Sequence, residues 1–243
     1  MHESVTQGPV SFFAVTADHG EVIGFVWADE AAGTVGWISR RASSRGVYEA
    51  SLEWSRKVSE AEKLGHAPSA TLAELNREPG AGPVASVPAV ASVEELASVV
   101  TEADDRRLLD QLHHADTAVW HELADAFSSL TDEDRRVGRG GGEKLAEGVY
   151  RVSYPIYSKA LRRAVAALYG VGAVTPEHRW MDHPMPELPS SGRMRPADAV
   201  RASTAIVRGE RFCEGTIAEA VKTGLFDAVG ESLRLWYTEL PRS

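Results

Sequence analysis

The amino-acid sequence predicts an α+β protein: a small N-terminal antiparallel β-meander with a covering helix, then a mostly α-helical C-terminal domain. Three observations carry that expectation. Residues 10–39 hold short apolar runs that alternate with a period of two and are separated by Gly-containing turns. Residues 78–92 hold three prolines and two glycines, which no continuous helix tolerates. Beyond them, apolar residues recur at helical spacing to the C-terminal end.

The meander begins with Val10 to Thr16, which carries Phe12 and Phe13. The turn Asp18-His19-Gly20 leads to Val22–Ala28, where Ile23, Phe25 and Trp27 alternate with Val22, Gly24 and Val26. A second polar turn, Asp29 to Gly33, precedes Val35, Trp37 and Ile38. Three short strands cannot bury themselves alone. Val47, Ala50, Trp54, Val58 and Ala61 form the single helical stripe expected to cover them. Pro68 interrupts that helix, and Thr71 to Asn76 adds a helical turn or two. The expected organisation is a module over 1–77, a Pro/Gly/Ala linker over 78–92 and a helical domain over 93–243.

In the helical domain, Ser92 and Glu95 have capping-box spacing before Leu96 to Val100. Leu108, Leu109 and Leu112 follow, and Asp116 can cap a helix whose inner face is Val119, Trp120, Leu123, Phe127 and Leu130. Thr131 and Asp134 start a short turn that ends at Arg139-Gly140-Gly141-Gly142, and residues 144–154 read as a short extended segment. Ser158 caps a helix with Leu161, Val165 and Leu168 inward and Lys159, Arg162 and Arg163 outward. Residues 171–195 are Pro-rich and irregular. A helix enters at Pro196 and stops at Gly209, and another starts at Thr216, where Thr216 and Glu219 have capping-box spacing. The last helix aligns Phe226, Val229, Leu233, Trp236 and Leu240.

Bulk properties narrow the function classes. The chain has 243 residues, 43% hydrophobic and 25% charged, as ordinary globular proteins do. Its single cysteine, Cys213, excludes an intrachain disulfide framework and a thiolate-rich zinc site, and fits a reducing compartment. The start, Met1-His2-Glu3-Ser4, lacks the features of a signal peptide, and no apolar run approaches the roughly 20 residues that span a bilayer. The expected location is the cytoplasm, with no membrane association. The net charge of −9 argues against a nucleic-acid partner. Residues 135–163, with eight Arg or Lys against two Glu, are the one basic zone. No sequence signature calls for a cofactor.

A set of features in fixed order supplies a resemblance: Trp120 on its helix, the Gly-rich turn 140–142, Tyr154-Pro155-Ile156-Tyr157-Ser158, Leu168-Tyr169, Trp180-Met181, and Arg208-Gly209-Glu210-Arg211-Phe212-Cys213-Glu214-Gly215. Over roughly residues 105–238 the chain resembles an uncharacterised actinobacterial domain family of unknown function. The last motif is the most specific. The resemblance implies no catalytic residue, because no chemistry attaches to the family.

Four groups of residues are candidates for chemistry. Arg135, Arg136, Arg139, Gly140, Gly141, Gly142 and Lys144 suit an anion: successive glycines can turn N–H groups toward one point while the cations add charge. The turn is not a Walker loop, because Glu143 and Leu145 break that pattern. The competing reading is a solvated surface loop. The corner Arg208, Glu210, Arg211 and Glu214 reads as a bend clamped by opposite charges. An enzyme reading of the same corner makes Cys213 a nucleophile, with Glu214 adjacent and His178 and His183 the histidines nearest in sequence. His178, Asp182 and His183, with Glu177 adjacent, offer metal-ligand chemistry, as do His113, His114 and His121. Neither set has diagnostic spacing. The aromatics Phe12, Phe13, Phe25, Trp27 and Trp37 exceed what one helix covers, so some can face a partner; the competing reading is a simple core. Residues 216–238 form a helix–turn–helix too poor in cations for a major-groove reader.

The function expected from these residues is a non-enzymatic interaction or regulatory module. It binds a protein or a small anionic ligand through the basic Gly-rich turn, with the N-terminal module assisting assembly; a homo-oligomer is the other expected partner. The alternative is a hydrolase that uses the Cys213 corner or the His178/His183 loop.

Overall fold

The computed structural model describes residues 8–142 and 144–240, without the side chains of Leu145 and Tyr150. The terminal Met1-His2-Glu3-Ser4 and Glu143 lie outside the described residues. The chain divides into two compact units, Met1–Asp104 and Asp105–Ser243. The architecture is α+β, with an antiparallel sheet first and mostly helical structure after it.

In the first unit, β1 (Val10–Thr16), β2 (Val22–Asp29) and β3 (Thr34–Ser39) form the expected meander. A fourth strand, β4 (Ala85–Val87), pairs antiparallel with β1, Val10 opposite Val87, and gives the order β3-β2-β1-β4. The Pro/Gly-rich stretch 78–92 thus supplies a sheet edge, and the boundary between compact units falls at 104/105 rather than within that stretch. Pro83 and Pro88 flank the strand, where their missing N–H groups break no ladder.

Period-two alternation gives the sheet two apolar faces, and both are covered. Phe13, Val15 and Val26 pack with Trp54 and Val58 of α1 (Tyr48–Lys63) and with Leu72 and Leu75 of α2 (Pro68–Leu75). Val10, Phe25 and Trp27 pack with Val90, Val93 and Ala97 of α3 (Val90–Ser98). The expectation of one covering helix with surplus aromatics for a partner is therefore corrected. Phe12 stands edge-on to Phe25 at 6.0 Å, and Trp37 stacks on Trp54 at 6.3 Å, so the aromatics close on each other and on three helices. Helix α3 starts two residues before the expected cap Ser92, and it ends at Ser98, so Val99 is extended. Burial of Val90 against the sheet outweighs the capping signal.

Helix α4 (Glu102–Asp110) carries Asp104 in its first turn, where it accepts from the N–H and Oγ1 of Thr101, both at 2.8 Å. The buried Arg40 guanidinium donates to both Asp104 oxygens and to the Val99 carbonyl at 3.0 Å. Burial disfavours the Asp104 carboxylate, but the hydrogen bonds from Arg40 and Thr101 outweigh it and hold its pKa below the ordinary value.

The second unit packs around one core. Helix α5 (Thr117–Ser128) is capped by Asp116, which accepts from the Ala118 N–H, and α6 (Lys159–Gly170) by Ser158, which accepts from the Leu161 N–H. Helices α7 (Pro196–Gly209), α8 (Thr216–Lys222) and α9 (Leu225–Glu239) complete it. Trp120 and Phe226, with Leu123, Leu161, Leu168, Ile206 and Leu233, lie fully or almost fully buried between them. Helices α5 and α9 approach closely at Gly230, where a Cβ would come within 2.2 Å of the Phe127 ring. Between α5 and α6 the chain makes two small ribbons. Strand β5 (Gly138–Gly140) pairs with β8 (Tyr154–Ile156), and β6 (Lys144–Ala146) pairs with β7 (Val149–Tyr150), all antiparallel.

Among the described residues, no helix is long and apolar enough to cross a membrane.

Candidate functional site

Helix α7 ends at Gly209, and the bend to α8 follows it through residues 210–215. The N–H groups of Phe212 and Cys213 both donate to the Gly209 carbonyl, at 2.9 and 2.8 Å. Gly215 then adopts φ +95°, a conformation that few side chains tolerate, and α8 begins. The expected capping box at Thr216 and Glu219 does not form. Thr216 Oγ1 donates instead to the Cys213 carbonyl at 2.6 Å. The carboxylate of Glu210 caps α8 from outside it, accepting from the Gly215 N–H at 2.9 Å and the Ile217 N–H at 2.8 Å. Tyr157 Oη donates to the same carboxylate at 2.6 Å. Burial, then Glu210, pushes the Tyr157 phenol above its ordinary pKa, so it stays protonated and donates.

The bend is therefore held by one carboxylate on backbone donors, which corrects the picture of a charge clamp. Among the described residues, Arg208, Arg211 and Glu214 form no ion pair with one another or with Glu210. Arg208 reaches only the Thr175 carbonyl, at 3.5 Å. Cys213 is exposed, and no described imidazole hydrogen-bonds to its thiol. Its neighbour Phe212 is 71% exposed and stands 5.8 Å from the Trp180 ring.

The glycines of the Gly-rich turn serve the ribbon. Gly140 lies in β5 opposite Tyr154. Gly142 donates its N–H to the Arg151 carbonyl at 2.9 Å. Gly141 has φ +73°, and a Cβ there would come within 2.1 Å of the Val152 carbonyl oxygen. The turn thus needs glycine for backbone approach, and the Gly142 N–H is spent on the ribbon rather than offered to an anion. The flanking cations separate. Arg135 makes a two-point contact to Asp227 at 2.9 and 2.8 Å and donates to the Leu130 carbonyl at 2.6 Å. Arg136 pairs with Glu133 at 2.6 Å on the surface. Lys144 is exposed on β6.

Arg139 has a different setting. With Arg135, Ser153 and Pro155 it lines an open cleft of about 470 Å³, whose other wall comes from the bend and α8: Glu214, Gly215, Glu219 and Lys222. That volume lies within the range of small-ligand sites. Arg135 is committed to Asp227, and Glu219 and Lys222 contact each other at 3.4 Å. Arg139 and Glu214 remain, opposite charges on one cleft with no ion pair to each other or to any other described residue. The structure brings three of the sequence candidates, Arg135, Arg139 and Glu214, to one place. Lys222 and Ser153 carry no local motif, and Glu219 stands out only by its capping-box spacing, so the fold alone assigns them there.

The histidine candidates lie elsewhere. His178 is buried, its ring 5.2 Å from that of His183, and burial, then His183 and Arg201, push its pKa down to about 3. Arg201, also buried, is held by Asp198 at 2.9 Å and Asp105 at 2.6 Å. Asp182 pairs with Arg179 at 2.7 Å, so His178, Asp182 and His183 do not converge on one point. Among the described residues, no group of three or more His, Cys, Asp or Glu side chains is placed to hold a metal ion. His113 and His114 bond the carbonyls of Gly170 and Leu109 at 2.7 and 2.8 Å, and His121 is exposed.

Residues 115–239, about half of the chain, match the model of a family of unknown function, DUF6508, and the chain belongs to that family. The match takes in both walls of the cleft and the bend. No curated protein and no solved structure matches the chain.

Proposed function

From the geometry of the cleft, we propose that the second unit is a non-enzymatic binding module that takes an anionic group of a ligand or partner between the β5/β8 ribbon and α8. One observation carries the reading. Arg139 and Glu214, far apart in sequence, line the same cleft without neutralising each other, whereas the neighbouring Arg135 and Lys222 are paired. A guanidinium is a planar fork of donors suited to a carboxylate or phosphate. Glu214 supplies an acceptor for a donor on the same ligand. The cleft is open to solvent, so binding of a small anion is modest and weakens as salt rises.

Titration calorimetry with citrate at low and high salt tests this reading. Saturable binding by the wild-type chain, weakened by salt and lost in Arg139→Glu with its melting temperature unchanged, supports it. Equal citrate binding by wild type and Arg139→Glu contradicts it.

A further inference from the structure

The β5/β8 ribbon has two unlike faces. Its register sets Arg139 opposite Pro155, and these two line the cleft. The alternate positions set Gly138 opposite Ile156 and Gly140 opposite Tyr154. On that second face Tyr154 and Ile156 are 45% and 50% exposed, and Val152, just before β8, is 75% exposed. The Tyr154 ring lies over Gly140, where a Cβ would be 2.8 Å from it. The ribbon is two-stranded, and among the described residues β5 has no strand on its outer edge. Pro155 lacks an N–H, so β5 is the strand with a full set of backbone donors.

Charge selects the partner. Within the basic zone, Arg136 and Arg163 are neutralised by Glu133 and Glu122. Arg139, Lys144, Lys159 and Arg162 have no ion pair among the described residues, and Lys159 and Arg162 stand in the first turn of α6, just after β8. A free edge, an apolar face and an unpaired guanidinium on the other face suit a strand of alternating apolar and acidic side chains, with Glu214 on the opposite wall of the cleft and not on the ribbon.

We infer that this ribbon docks an extended acidic peptide segment of a partner protein along the outer edge of β5. The apolar side chains lie over Gly138 and Gly140 against Tyr154 and Ile156, and the carboxylates turn toward Arg139. The inference rests on the anion reading of the cleft and adds the partner's chemistry to it.

The test titrates the isotope-labelled full chain with a short end-blocked peptide alternating glutamate and valine. The same residues arranged in two blocks serve as control, with citrate in parallel. The expected result is about tenfold tighter binding of the alternating peptide than of the block peptide, from two or three cross-strand apolar contacts. The amide shifts should centre on 138–140. Tyr154→Ser with Ile156→Ser, both exposed positions, removes that preference and leaves citrate binding unchanged. Equal binding of the two peptides, with citrate still bound through Arg139, overturns the strand inference and spares the cleft reading. Loss of citrate binding as well strikes the cleft reading itself. Binding to phosphatidylserine vesicles without preference for the alternating peptide, or self-association that the peptide does not compete, also overturns the inference. The comparison of peptides uses the wild-type chain, so it needs no variant to fold.

Discussion

Glu210 and Glu214 stand four residues apart in the bend between α7 and α8, and their surroundings could hardly differ more. Glu210 accepts from two backbone N–H groups and a phenol and closes the first turn of α8. Glu214 lines the cleft with no ion pair among the described residues, as does Arg139. The same contrast recurs in the first unit, where the buried Arg40–Asp104 pair is satisfied on both sides. Polar groups whose partners are built into the fold hold it together, and leaving one partner alone in the interior is costly. A charge kept unpaired at an open cleft adds little to stability and is available to a ligand. The comparison is therefore testable by separating stability from binding.

The largest effect is expected at Asp104. Asp104→Ala leaves the Arg40 guanidinium buried with its main partner gone. A loss of about 3–5 kcal/mol in denaturant unfolding is expected. A loss under 1 kcal/mol would mean that the pair is not structural. Glu210→Ala comes next, expected at about 1–3 kcal/mol for the lost cap and charged hydrogen bonds. Tyr157→Phe should cost less, because the backbone donors keep their carboxylate.

The pH dependence sharpens the same contrast at His178. Its pKa is lowered from 6.5 to about 3 in the folded protein. Between those values the unfolded chain binds a proton that the native chain does not. Stability is therefore fully present above about 6.5 and declines as pH falls toward 3. His178→Leu should flatten that part of the stability–pH curve measured by chemical denaturation.

How far the sequence reveals this depends on the range of the interaction involved. The start of α7 is legible because Pro196 presets its first turn, and its last residue, Gly209, coincides with the glycine that marks the stop in the sequence. The three meander strands are legible from alternation. Strand β4 is not: three residues between prolines show no period, and their place is set by pairing with β1. The cap of α8 is hidden for a similar reason. Glu210 reaches forward to Ile217 across a bend, while the local Thr216/Glu219 spacing points to a box that does not form. At the cleft, Arg139 stands out beside its glycines. Its opposite wall, Glu214 and Lys222, is brought there by the packing of the helices, which no local pattern encodes.

The smallest stability effects are expected at the cleft. Arg139→Ala and Glu214→Ala should each unfold within about 0.5 kcal/mol of wild type. A larger loss would place either residue in the framework after all.

The most direct measurement of the central claim is a citrate titration followed by amide chemical shifts in the wild-type chain and in Arg139→Glu. Saturable shifts confined to 137–140, 153 and 214–222, absent from a variant that melts like the wild type, are the predicted result. Shifts elsewhere in the chain, or shifts that survive the charge reversal, would contradict it.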